Sequence, residues 1–282
     1  MTHALAGRVA VVTDSTGDVP AEEAAALDLT VIPALLTVEG RTFVDGQGFS
    51  RTDLYRRMLA LDGLPTTAVP SPERFAAAYE SLLRAGATHI LSIHLSDRLS
   101  GMLQTAAQAA QDFGDRVRIF DSRQVSLGLG FQAMEAAAAA LAGNSIQLVT
   151  DVARQARDRV RLIAMLNTLE FVRRSGRVSW LRASLGGLLN IKQLVEVVDG
   201  TIRRLERVRT RSRALEALRT RATGWGPLRR LAVLHTAVPE EAAALGSDLN
   251  HLCPRPPIVV EVTTVIGAHV GPESIGLAAL LA

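Results

Sequence analysis

Three hydroxyl-rich turns each follow an apolar run: Thr13-Asp14-Ser15-Thr16, Ser96-Asp97-Arg98-Leu99-Ser100-Gly101 and Asp121-Ser122. Each stands where a strand should stop, and in an open α/β sheet ligands bind in the crevice beyond the carboxyl ends of the strands. Ser100 is the most pointed of these residues. It follows the strand candidate Ile90-Leu91-Ser92-Ile93 and precedes Met102-Leu103-Gln104-Thr105-Ala106-Ala107, a run of good helix formers. Ser100 and Gly101 thus fall at a helix N-terminus, where unpaired N–H groups and the helix dipole favour an anion. An ordinary capping serine reads the same way.

Three further residues share that chemistry. Thr67 precedes Val69-Pro70-Ser71-Pro72, a turn leading into a helix. His269 lies in Ile266-Gly267-Ala268-His269-Val270-Gly271-Pro272, read as a loop whose glycines let backbone approach something closely. Arg177 has a similar loop setting in Ser175-Gly176-Arg177-Val178. Hydroxyls, an imidazole and a guanidinium suit a small anion such as a carboxylate or phosphate. A rival from another class is a Ser/His hydrolase or acyltransferase: Ser100 as nucleophile, His269 as base, and Asp14 or Asp121 orienting it. No Gly-x-Ser-x-Gly elbow supports that rival, and no Walker A loop supports phosphoryl transfer. Gly128-Leu129-Gly130 lacks the third glycine of a dinucleotide fingerprint, so no cofactor is expected.

With 282 residues, 48% of them hydrophobic, the chain can bury one large core or two medium ones. Cys253 is the only cysteine, which excludes an internal disulfide and zinc sites of paired cysteines. The histidines are scattered, so no metal is expected. A formal charge of +3 and 4% aromatics argue against nucleic acid. The run of arginines from Arg203 to Arg213 is interleaved with Glu206 and reads as a solvated face, with docking of an acidic partner as the alternative. No signal peptide and no apolar run of bilayer length are visible, so a cytoplasmic address without membrane insertion is expected. Lys192 is the only lysine among 31 cations, a hint that a compact point charge matters there.

Stepping from residues to the elements that carry them, strand candidates at 9–12, 90–93 and 117–120 alternate with helical patterns at 20–27, 72–84, 102–113 and 131–141. That alternation predicts a parallel, doubly wound sheet. Residues 30–64 interrupt it with an extended stretch containing Gly40, Gly46 and Gly48, read as a small inserted lobe. A helix over 145–160 is taken to open a second domain, followed by a Gly/Arg/Ser-punctuated stretch at 169–190. Gln193-Leu194-Val195-Glu196-Val197-Val198, Asp199-Gly200 and Thr201-Ile202-Arg203 spell a hairpin. Strands at 231–234 and 258–262 around a helix at 239–252 predict a mixed sheet. The expected domains are 1–144 and 145–282, both α/β.

Taken in order, Thr13-Asp14-Ser15-Thr16-Gly17-Asp18-Val19-Pro20, Thr67-Ala68-Val69-Pro70-Ser71, Leu99-Ser100-Gly101, Phe120-Asp121-Ser122, Ser175-Gly176-Arg177-Val178-Ser179, Ile191-Lys192 and His269-Val270-Gly271-Pro272 resemble the DegV family of bacterial fatty-acid-binding proteins over nearly the whole length. The resemblance implies a two-domain fold holding a long-chain fatty acid such as palmitate in a cleft between the domains. Thr67 and Ser100 would contact the carboxylate, with His269 close by and Arg177 near the site. It also implies a carrier that is not itself an enzyme, and that presents the acid to a separate fatty acid kinase making the acyl phosphate. The chain departs from the family pattern at Ala68-Val69, where Ser-Gln is usual, and at Met102-Leu103, where Thr-Tyr is usual. Glu273 stands where a glycine is frequent, which would put an acid near His269.

Overall fold

The computed structural model describes residues 7–47, 50–58, 64–177 and 191–282. Gly48 of the expected lobe, Val178, Ser179 and the rest of the stretch up to residue 190 lie outside them. The chain builds two compact units from alternating segments. Met1–Ala34 and Val69–Arg159 make the first, and Leu35–Ala68 and Val160–Ala282 make the second.

The first segment supplies β1 (Val9–Asp14), α1 (Ala21–Ala26) and β2 (Leu29–Ile32). The chain then contributes β3 (Leu35–Val38), β4 (Arg41–Val44), α2 (Arg51–Arg57) and β5 (Thr66–Ala68) to the second unit. It returns with α3 (Pro72–Arg84), β6 (His89–His94), α4 (Met102–Ala110), β7 (Val117–Asp121), α5 (Leu127–Leu141) and α6 (Ile146–Arg159). The remainder is β8 (Val160–Leu166), α7 (Glu170–Ser175), β9 (Lys192–Val198), β10 (Thr201–Val208) and α8 (Arg211–Thr223). After these come β11 (Leu228–His235), α9 (Pro239–Leu249), β12 (Ile258–Glu261), α10 (Thr264–Val270) and β13 (Ile275–Leu281).

The first unit is the expected parallel sheet, in the order β2-β1-β6-β7. All six residues of β1 are buried, as a strand covered on both faces requires. The pair α3 and α4 and the pair α5 and α6 pack on it. The boundary expected at residue 144 falls instead after Arg159. The apolar stripe of α6, Val149, Ala153 and Ala156, is wholly buried, and α6 packs along α5, so it belongs with the first unit. The lobe expected at 30–64 is also redrawn. Thr30 to Ile32 pair with β1, and the segment from Leu35 to Ala68 is integral to the second unit.

That second unit holds a six-stranded mixed sheet, β10-β9-β8-β13-β11-β12, and a three-stranded antiparallel sheet, β4-β3-β5. The predicted hairpin joins β9 to β10, with Asp199 at φ 48° and Gly200 at φ 76°, the two left-handed residues of a type I′ turn. Its core gathers Leu218 of α8, Leu231 and Val233 of β11, Leu245 of α9 and Leu277 of β13. Among the described residues no helix is long and apolar enough to cross a membrane.

Candidate functional site

Thr67 sits in the middle of β5, opposite Leu36 of β3. Leu36 is fully buried, and opposed residues of an antiparallel pair share a face, so the Thr67 side chain is turned toward the interior. There it meets His269, whose Nε2 lies 2.9 Å from Thr67 Oγ1. The stretch read as a glycine-rich loop is in fact the helix α10, which carries His269 one residue from its end. The two flanking glycines do permit close approach, but to protein side chains. A Cβ on Gly267 would come within 2.2 Å of the Tyr55 ring, and one on Gly271 within 2.3 Å of Phe171. Tyr55 of α2 also donates its hydroxyl to the carbonyls of Val262 and Thr263, and Thr264 Oγ1 donates to Asp45 at 2.7 Å. The N-terminal end of α10 is thereby fixed.

Thr67 and His269 line a cavity of about 320 Å³, within the range of small-molecule sites. Arg174, Ser175 and Arg177 line it too, with Leu64, Pro65, Ala268 and Phe171 supplying apolar wall, and no carboxylate lines it among the described residues. Burial, with the Arg177 guanidinium as the lesser cause, pushes the His269 imidazole down to about 4. It is therefore neutral at pH 7. Its Nδ1 is buried with no hydrogen-bond partner among the described residues. A neutral ring bonded to Thr67 thus stands in a cavity wall that also carries Arg174, whose Nε is paired with Glu170, and Arg177.

Arg177, just beyond the left-handed Gly176 that ends α7, is exposed and directs one guanidinium nitrogen to the Ser175 carbonyl. Ser100 belongs to the first unit. Its Oγ accepts the N–H of Met102, the first residue of α4, at 3.2 Å, while the N-cap position itself is Gly101. The structure thus brings Thr67, His269 and Arg177 to one cavity.

Other expectations resolve differently. Glu273 does not orient His269: its carboxylate accepts from Asn167 Nδ2 at 2.8 Å. Lys192 Nζ donates to the same Asn167, through its carbonyl at 3.0 Å and its Oδ1 at 2.6 Å. Arg211 leaves the arginine face altogether, because Glu241 takes it in a two-pronged pair and its NH1 donates to the Glu273 carbonyl. Arg207, Arg209 and Arg213 have no acidic partner among the described residues.

The triad rival loses its acid. Asp14 Oδ2 takes His94 Nδ1 at 2.9 Å and the Leu95 N–H at 3.1 Å, while Oδ1 takes the Thr16 N–H. His94 Nε2 in turn lies 2.7 Å from Ser92 Oγ, and Ser92 Oγ 2.9 Å from the Tyr79 hydroxyl. Sequence reasoning missed this chain because the strand candidate stopped at Ile93, whereas β6 runs to His94 and so puts Ser92 and His94 on one face. Asp121 accepts the Arg123 N–H at 2.8 Å, and burial raises its carboxyl above the usual range. Among the described residues no group of three or more His, Cys, Asp or Glu could hold a metal ion.

Comparison with known proteins bears on this arrangement. Residues 8–282 match the DegV family, described as an uncharacterised protein family. A DegV domain-containing protein of Deinococcus radiodurans is 36% identical over 274 residues, covering 96% of this chain and 97% of that one. One from Streptomyces coelicolor is 34% identical over 95% of this chain and 97% of that one. Among solved structures, a fatty-acid-binding DegV family protein of Thermus thermophilus superposes with a TM-score of 0.91 at 32% identity, covering 98% of this chain and all of that one. DegV of Bacillus subtilis, described as a fatty acid binding protein, gives 0.85 at 30% identity with the same coverage. Full-length agreement in sequence and backbone leads to one conclusion: this chain belongs to the DegV family.

Proposed function

We propose that this protein is a fatty-acid carrier that holds the carboxylate of a long-chain acid through Thr67 and His269, with Arg177 nearby and Ser100 as a further hydroxyl. The observation that carries this reading is the Thr67–His269 pair in a cavity with no carboxylate among its described lining residues, the Nδ1 of the neutral imidazole having no partner among the described residues. The fatty acid binding described for the Thermus thermophilus and Bacillus subtilis relatives supports it. Energetics agree: at roughly 0.8 kcal/mol per methylene, a chain of about fourteen contributes on the order of 11 kcal/mol before association costs. The carboxylate must then be hydrogen-bonded, because an unpaired buried charge would offset that gain. No covalent step is needed, and the hydrolase reading is weaker because the proposed base has no carboxylate on its second ring nitrogen among the described residues.

Presentation of the acid to a separate kinase completes the proposal, with Arg207, Arg209 and Arg213 as the face for an acidic partner. The test is native and denaturing mass spectrometry of the purified protein, with titration of long-chain acids into wild type, Thr67→Val and Ser100→Ala. A stoichiometric acid whose affinity falls about tenfold in either variant, the loss of one charge-assisted hydrogen bond, is the expected result. No binding across a panel of long-chain acids, or ester turnover that Ser100→Ala abolishes, would overturn it.

A further inference from the structure

A helix of seven residues cannot hold a side chain in place by itself; α10 depends on what fixes its ends. Beyond Val270 the chain reverses through residues 271–274 and becomes β13, with Gly271 at φ 77° and Glu273 at φ 59°. One residue grips that reversal. Thr236, directly after β11 and 1% exposed, donates its hydroxyl to the Gly271 carbonyl at 2.8 Å and accepts the Ser274 N–H on the same oxygen at 2.8 Å. The Ser274 carbonyl lies farther from that hydroxyl, at 3.4 Å, and instead accepts the Thr236 N–H at 3.0 Å. The Thr236 carbonyl accepts the Glu273 N–H at 2.7 Å. The side chain thus reaches one turn beyond the β11–β13 ladder, whose last pair is His235 with Ile275.

Gly271 is the pivot. Its N–H closes the last helical bond, to the Gly267 carbonyl at 2.8 Å, and its own carbonyl is the group that Thr236 holds. A change in that peptide's orientation is passed to His269 two residues earlier, whose bond to Thr67 spans 2.9 Å. We propose that Thr236 is a positioning residue for His269: its hydroxyl locks the Gly271 peptide, and that lock holds the imidazole against Thr67 in the cavity wall. The proposal rests on the fatty-acid reading only for the ligand it names.

The experiment follows the His269 imidazole by NMR titration, alongside binding of a long-chain acid and of the alcohol of equal length, in wild type, Thr236→Val and Thr236→Ser. In Thr236→Val the His269 titration moves up from about 4 toward the ordinary 6.5. Acid affinity falls about tenfold and alcohol affinity changes less than about twofold, since a misplaced head-group contact costs only the charged ligand. Thr236→Ser, which keeps the hydroxyl, restores both. A folded Thr236→Val with unchanged titration and unchanged acid affinity overturns the proposal. If Thr236→Val does not fold, Thr236→Cys, a weak donor of similar shape, must give an intermediate titration, and a wild-type titration there is equally fatal. Should wild type bind no acid at all, the carrier reading fails, while the titration still decides the role of Thr236.

Discussion

Two histidines, one in each unit, show opposite uses of the same ring. His94 is fully buried and both nitrogens are engaged, Nδ1 on Asp14 and Nε2 on Ser92, with the Phe75 ring edge-on at 5.4 Å. The protons can be ordered without conflict. Asp14 only accepts, so Nδ1 donates to it, Nε2 accepts from Ser92, and Ser92 accepts from Tyr79, whose hydroxyl burial pushes up to about 12. This chain has the connectivity of a Ser-His-Asp triad and none of its access to substrate. His269 has one bond instead of two, and it lines a cavity. The complete network stabilises a fold, whereas the proposed carboxylate contact rests on the ring whose second nitrogen has no partner among the described residues.

Breaking the complete network should have the largest effect. Asp14→Ala strips acceptors from His94 Nδ1 and from the Leu95 and Thr16 N–H groups, and should cost roughly 3–5 kcal/mol in denaturant unfolding. A loss under about 1 kcal/mol would mean that the network is not structural. Next comes the acid sensitivity of His269. Its imidazole is lower in the folded than in the unfolded chain, so the unfolded state binds more protons between pH 6.5 and about 4 and stability falls as pH falls through that window. The loss amounts to roughly 3 kcal/mol at its limit. His269→Gln should flatten that part of the stability profile while leaving the pH 7 fold intact; an unchanged slope would show that the ring is not held neutral by burial. The smallest effect sharpens the comparison by making His94 resemble His269. Ser92→Ala leaves Nε2 without its serine at a cost of about 1–3 kcal/mol, and calorimetry with long-chain acids should find no new binding, because His94 and Ser92 are fully buried.

The sequence was most readable where a strand is bounded by turn residues. The strands β1, β6 and β7 and the Asp199-Gly200 hairpin follow directly from apolar runs and left-handed turn chemistry. β13 was not legible, since Ile275-Gly276-Leu277-Ala278-Ala279-Leu280 is buried on both faces and shows no alternation. α10 was hidden by glycines that serve packing against Tyr55 and Phe171, and α6 was assigned to the wrong unit because its stripe does not say which surface it covers. Nor does any local spacing join Thr67 to His269; each stood out only by its own glycine- or proline-rich setting, and the second unit's packing joins them.

That pair closes over a separation of 202 residues, across a chain that leaves the first unit at Ala34 and returns at Val69. During synthesis the strand carrying Thr67 emerges long before the helix carrying His269. At roughly 5–20 residues per second the delay is on the order of 10–40 s. The ribosome therefore delivers the two halves of the cavity as its early and late products, and a nascent chain stalled before α10 carries the hydroxyl without its imidazole.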